Sequence, residues 1–289
     1  MLRFLYKKIF FNFFYFIRYC LIKVFKKITE KYNFNLNKYK ELSSSLKKDG
    51  FIKIENFYKK NDIEKIQKKF DHLFKNNFEK FNFEIHPTIK KNNVEINSKN
   101  IQNSTNYTNL KNPLINIPEI FNLINDDIIE ILYSFFGVMP KMTGINLRRS
   151  FANNLNESGT TLFHCDENSY KFLKVFIYLK DVDENSGPFT FIETSQTVKF
   201  PFYQKKYHYT SDEIFQKYSK RLEKKIIGKV GDIIIANTRG FHKGSKVNKH
   251  YRDLLTIHFG IHKEYFKSKN YVHYNKNIIN DKKYNILIN

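Results

Sequence analysis

A chain of 289 residues that is 41% hydrophobic and 17% aromatic carries enough apolar side chain for a sizeable core, which excludes extended disorder. Its two cysteines, Cys20 and Cys165, stand far apart with no C-x-x-C pair; this excludes a disulfide framework and a thiolate zinc site and makes the reducing cytoplasm the expected location. The formal net charge of +22 reads either as a polyanionic partner or as a codon bias toward Lys, Asn, Ile, Phe and Tyr, and the scatter of the lysines favours the bias.

Residues 1–30 form a basic, aromatic N-terminal segment ahead of a single domain spanning 31–289. The longest uncharged run, Ile9 to Ile17, ends at Arg18 and falls short of the roughly 20 apolar residues that a membrane span needs. No small-residue cleavage signature follows it. Cations interleaved with large aromatics over residues 1–27 suit two arrangements: a helix lying on the inner face of a membrane as a peripheral contact, or an N-terminal helix packed on the domain.

From Leu42 the pattern becomes globular. LKKDGFIKIENF reads as a helix end, Gly50 and a strand from Phe51. Between Asn61 and Phe74, Ile63, Ile66, Phe70 and Leu73 recur at helical spacing, with Asn61 or Asp62 as the cap. Residues 75–113 show weak periodicity and read as a lid-like loop, and a second helix runs from Pro118 to Phe136, ending at Gly137. Beyond Met139 the chain turns to short strands: GINLRRSF, TTLFHCD, FLKVFIYLKDV, GPFTFIE, KIIGKV, GDIIIANT and DLLTIHFG. Residues 200–225 interrupt them as a second lid-like insertion. Helices first and many short strands after predict an α+β domain with a mainly β core, an antiparallel sandwich or jelly roll flanked by N-terminal helices.

The chemistry lies in FHCDENS and GDIIIANTRGFHKGS. Side chains alternate along a strand, so His164 and Asp166 point one way and Cys165 the other. His242 follows an apolar strand far downstream, with enough strands between for a jelly roll to fold back and join the three. Two imidazoles and one carboxylate on one face form a facial triad that suits Fe(II) and leaves positions open for a co-substrate and O2. Arg252, opening the next strand, offers a planar fork for a carboxylate.

The run FHCDENSYKFLKVFIYLKDVDENSGPFTFIETS, then GDIIIANTRGFHKGS and Arg252, resembles the phytanoyl-CoA dioxygenase family over roughly residues 42–260. The resemblance implies a double-stranded β-helix that uses Fe(II), 2-oxoglutarate and O2. In it His164, Asp166 and His242 would hold the metal and Arg252 the far carboxylate of 2-oxoglutarate. Tyr178 would donate to the co-substrate or pack in the core. Asn146, Arg148, His258, Thr238 and Ser245 are candidates for the pocket wall, the last two either orienting His242 or the co-substrate or serving turns. Glu193–Thr194–Ser195–Gln196 departs from the family's Gly-Ser-His, so no substrate-side histidine carries over there. Related halogenases replace the aspartate with a small residue; Asp166 therefore points to hydroxylation of a small organic or lipid-linked substrate. The rivals are a catalytically silent jelly-roll binding module and a nucleic-acid-directed oxidative demethylase. The last strand carries His258 where a second inward arginine would serve a nucleic acid, so nucleic acid is not the expected partner.

Overall fold

A computed structural model describes residues 16–17, 19–21, 38–89, 96–166, 171–197 and 206–261. Most of the N-terminal segment and parts of both lid-like stretches lie outside the described residues. Among those described, no helix is long and apolar enough to cross a membrane.

Helix α1 (Lys40–Asp49) ends where Gly50 takes φ +92°, a left-handed turn that glycine adopts without strain. Strand β1 (Phe51–Ile54) follows, then helix α2 (Lys60–Asn76), which buries Ile63, Ile66, Phe70 and Leu73. The helix begins at Lys60 without a side-chain cap, so the expected capping by Asn61 or Asp62 does not occur. The 75–113 stretch is more than loop: β2 (Phe81–Asn82) and β3 (Tyr107–Leu110) add two short strands to a sheet edge, followed by the single helical turn α3 (Pro113–Asn116). Strands this short leave too few residues for a period to show.

The expected helix from Pro118 to Phe136 is split. Pro118–Leu123 winds as a 3-10 helix, and α4 (Asp126–Phe136) restarts at Asn125, whose side chain accepts the Ile128 N–H at 3.0 Å. Asp126 and Asp127 in its first turn suit the positive end of the helix dipole.

Two antiparallel sheets form the core. The larger has the order β1-β8-β5-β10-β4-β3-β2, with β4 at Lys141–Phe151, β5 at Phe172–Tyr178, β8 at Ile233–Ala236 and β10 at Tyr251–Gly260. The smaller has the order β7-β6-β9, with β6 at Phe189–Ile192, β7 at Glu223–Ile226 and β9 at His242–Gly244. TTLFHCD is not a strand: Gly159–Thr161 is a 3-10 turn, and only Phe163 and His164 form isolated bridges, to Tyr209 and His242. Residues 206–222 of the second insertion hold a helical turn, α5 (Ser211–Phe215), capped reciprocally by Thr210 and Glu213. Ile214 and Tyr209 pack there with Phe163 and Phe241, behind the metal-site histidines.

Period-two alternation divides the central strands between two environments. Leu147 of β4, Val175 and Ile177 of β5, Ile233 and Ile235 of β8, and Leu255, Ile257 and Phe259 of β10 pack under α2 and α4. The intervening Phe176, Tyr178, Ile234, Ala236 and Leu254 face the smaller sheet, meeting Phe189 and Phe191. The helix-side face also holds one buried charge cluster. Arg149 donates from Nε and Nη2 to Asp253 at 2.8 and 2.6 Å, also reaches Asp71, and lies 4.2 Å from the centre of the Tyr251 ring. Gln67 of α2 donates to the same Asp253 at 2.6 Å, fastening helix to sheet.

Removing one partner of a buried ion pair strands the other charge, at a cost of about 3–5 kcal/mol. Arg149→Met is therefore expected to lower unfolding stability by about that amount in a denaturant titration, and Arg149→Met/Asp253→Leu to recover part of it. A loss under about 1 kcal/mol in the single variant would show that the cluster does not bind helix to sheet as described.

Candidate metal centre

The centre rests on one backbone exchange. The His164 N–H donates to the His242 carbonyl at 3.0 Å, and the His242 N–H donates back to the His164 carbonyl at 3.0 Å. Directly opposed residues of an antiparallel pair project to the same face, and the two imidazole centroids lie 4.3 Å apart. Two residues on, the Asp166 N–H donates to the Thr238 carbonyl at 2.8 Å, which carries the carboxylate to the same side. One ligand atom from each of His164, Asp166 and His242 falls within a 4.8 Å cluster.

Each ring is oriented by its other nitrogen. His164 Nδ1–H donates to the Leu162 carbonyl at 2.9 Å and His242 Nδ1–H to the Gly240 carbonyl at 3.0 Å. This fixes the tautomer that presents the Nε2 lone pair inward, the state a metal ligand requires. Burial, then the neighbouring His242, pushes the His164 pKa down to about 3, so its imidazole is neutral at pH 7. Burial alone would raise the Asp166 pKa, but Lys174 and His242 hold its carboxyl well below the usual range and keep it ionised. Two imidazoles and one carboxylate on one face are the donor set of non-haem Fe(II) sites.

A cavity of about 260 Å3 opens beside the triad, and its wall contains Arg148, Lys174, Arg252 and His258. Arg252 is buried; its Nη2 donates to Ser150 Oγ at 3.4 Å, while Nε and Nη1 have no hydrogen-bond partner among the described residues. Two unmet donors on a buried cation are costly, and a ligand carboxylate would satisfy both through the planar fork. Burial lowers the Arg252 pKa to about 10, which leaves it charged at neutral pH. Gly244 leaves room for the guanidinium itself, since a Cβ there would stand 2.9 Å from Nη2.

Asn146, Arg148 and His258, read from sequence as wall residues, do line the cavity. Of the two roles expected for Tyr178, the structure shows the packed core tyrosine. Its single proton goes to the Ile226 carbonyl at 2.6 Å and its oxygen accepts the Phe189 N–H at 3.1 Å, so the ring belongs to the core. Thr238 serves Asp166 through its backbone, and Ser245 pairs its hydroxyl with Thr190 at 2.7 Å; neither side chain is part of the wall.

Sequence reasoning missed Lys174 and Gly244. Lys174 Nζ lies 2.6 Å from Asp166 Oδ2. A lysine inside the otherwise apolar FLKVFIY, at the same parity as Phe176, was the available signal. Gly244 gave none, since its use depends on where Arg252 comes to rest.

A family model described as phytanoyl-CoA dioxygenase matches residues 46–252. No curated protein matches the chain by sequence. The solved structures it resembles include the epimerase SnoN in complex with Fe3+, α-ketoglutarate and nogalamycin RO, at 12% identity and TM-score 0.56, covering 78% of this chain and 84% of that one. The carbocyclase SnoK from nogalamycin biosynthesis is similar at 13% identity and TM-score 0.56, with 80% and 87% covered. HygX from Streptomyces hygroscopicus, with nickel and 2-oxoglutarate bound, gives 12% identity and TM-score 0.53, with 78% and 89% covered. At these identities the likeness is one of fold.

Anaerobic calorimetry is expected to show one equivalent of Fe(II) bound, with stoichiometric binding lost in each of His164→Ala, Asp166→Ala and His242→Ala. His208→Ala, whose ring lies 5.9 Å from that of His164 but outside the cluster, should bind as the wild type does. Unchanged affinity in His242→Ala would refute the site.

Proposed function

The chain belongs to the phytanoyl-CoA dioxygenase family, and from that membership we propose that it is an Fe(II)- and 2-oxoglutarate-dependent hydroxylase of a small organic substrate. His164, Asp166 and His242 would hold the iron, and Arg252 the far carboxylate of 2-oxoglutarate. The observation that carries this reading is the pair of unmet Arg252 donors, Nε and Nη1, buried in the wall of the cavity that the triad borders. A structural metal would need no such clamp, which disfavours a silent binding module.

When bound, iron with 2-oxoglutarate would activate O2 to oxidise a C–H bond. The chain's own part is placement. His164 and His242 present Nε2 lone pairs fixed by their Nδ1 bonds, and Asp166 supplies the charge that balances half of a dication. Asp166 also fills the position that a halide would need, so hydroxylation is favoured over halogenation. Phe176, Phe189 and Leu254 line the cavity and keep water from the reacting centre. Arg252 fixes the co-substrate at its far end, where lysine would supply charge without the fork.

A second reading concerns the N-terminal segment. Phe16, Ile17 and Leu21 are exposed, while the Tyr19 hydroxyl donates to the Phe136 carbonyl at 2.8 Å and ties the segment to the end of α4. This supports a peripheral contact with a membrane by the exposed residues and, with it, a lipid-linked substrate. In the full chain, Phe16→Ser/Ile17→Ser/Leu21→Ser should reduce co-sedimentation with anionic vesicles; undiminished co-sedimentation would refute the contact.

Purified protein given Fe(II), 2-oxoglutarate and O2 is expected to form succinate, with His164→Ala inactive. Arg252→Met should raise the half-saturating 2-oxoglutarate concentration about 100-fold or more, and Gly244→Ala, by crowding the guanidinium, about tenfold. Absence of succinate from iron-loaded wild-type protein would overturn the assignment.

A further inference from the structure

Two arginines stand side by side in β4 and receive opposite treatment. Arg149 faces the helices and is matched by Asp253 and Asp71. Arg148 faces the cavity and is matched by no carboxylate among the described residues. Its Nε donates to Asn109 Oδ1 at 3.0 Å, its Nη1 to Thr160 Oγ1 at 2.7 Å, and its Cζ lies 3.9 Å from the Tyr107 ring centroid. These partners hold the guanidinium in place but leave its charge unbalanced.

Nearby charges do not change that balance. Asp166 is the one carboxylate in the wall of the iron cavity, and it serves the metal and Lys174. Arg252 is the clamp for the co-substrate. Glu84 lines the neighbouring cavity but forms no ion pair with Arg148. Burial, partly opposed by Tyr107 and Asp166, lowers the Arg148 pKa, as expected for a cation removed from water without a counter-ion.

Arg148 also marks a junction. With Asn146 it lines both the cavity of about 260 Å3 beside the triad and a second of about 610 Å3. Phe83, Tyr107 and Pro113 give the second cavity apolar wall, and Asn109 and Asn112 give it amide groups. The register of β4 against β10 sets Arg148 opposite Leu254, between the Ser150–Arg252 and Asn146–Thr256 pairs.

We propose that Arg148 receives an anionic group of the substrate, a carboxylate or a phosphate ester, with the substrate's body in the adjoining 610 Å3 cavity and its reacting C–H bond beside the triad. The proposal deepens the hydroxylase reading above and rests on it. An anion at this point would satisfy the guanidinium and anchor the substrate at one end, so that one carbon is held toward the metal. Arg148 is thus a specificity residue that selects charged substrates over their neutral analogues.

The test uses full-length protein loaded anaerobically with Fe(II) and saturating 2-oxoglutarate, so that Arg252 is occupied. Methyl phosphate and propionate are titrated separately, and relaxation of their 31P and 1H signals by the bound iron reports binding near the metal. Enhancement by one or both probes, weakened about tenfold or more in Arg148→Met and partly kept in Arg148→Lys, is the expected result. The responding probe then distinguishes phosphate ester from carboxylate. Enhancement equal in wild type and Arg148→Met, or none with either probe, would overturn the proposal. The visible charge-transfer band of bound iron and 2-oxoglutarate reports the underlying reading separately. A band without anion binding overturns this inference alone, and no band overturns both.

Discussion

The paired backbone bonds between His164 and His242 are the constraint on which the centre depends. A side chain alone has rotamer freedom, and two distant histidines meet only when the backbone has settled their separation first. Direct antiparallel opposition does this with two hydrogen bonds, and it sets side chains about 5 Å apart on one face. The carbonyls of Leu162 and Gly240, each two residues before its histidine, then rotate the rings so that both Nε2 atoms point inward. Few residues are regular strand here, since β9 has only three and His164 stands in an isolated bridge. Most of the rigidity comes from behind, where Phe163 and Phe241, each one residue before a ligand histidine, pack with Tyr209 and Ile214.

The same alternation governs the other side of the cavity. In β10, Arg252, Leu254, Thr256 and His258 line it, while Asp253, Leu255, Ile257 and Phe259 face the helices. One register therefore fixes two functions at once. Asp253 and Arg149 bind the sheet to α2, and their immediate neighbours Arg252 and Arg148 face the cavity. A one-residue slip of β10 against β4 would exchange the two sets and place a carboxylate where an anionic co-substrate must bind. Stability of the helix–sheet layer and correctness of the cavity are thus one requirement.

Much of this was legible in the sequence, for identifiable reasons. His164 and Asp166 sit two apart, so either an extended chain or a true strand sends them the same way; the error over TTLFHCD as a strand left their convergence intact. β10 is long and strongly alternating, and Arg252 and His258, the two of its residues named from sequence, both line the cavity. The helix from Pro118 failed because Asn125 caps a new start that hydrophobic spacing does not reveal. The two alternatives for Tyr178 stayed open in the sequence because parity gives a direction but not a partner. Its hydroxyl points inward as expected, yet the Ile226 carbonyl from β7 reaches it. Contacts between the two sheets depend on their packing distance, and no local pattern records that.

Charge explains why the site takes this form. The iron cavity has one carboxylate and three basic side chains in its wall, and Asp166, clustered with the two imidazoles, offsets part of the repulsion that a bare dication would meet there. Adding Fe(II) raises the positive charge further, and 2-oxoglutarate with its two carboxylates brings the balance back. The protein thus couples the two ligands electrostatically, since each makes the other's binding more favourable in a low-dielectric pocket. After both are in place, positive charge with no carboxylate partner among the described residues persists at Arg148, which lines both this cavity and the larger chamber. That remaining asymmetry points outward from the metal, in the direction from which a substrate must come.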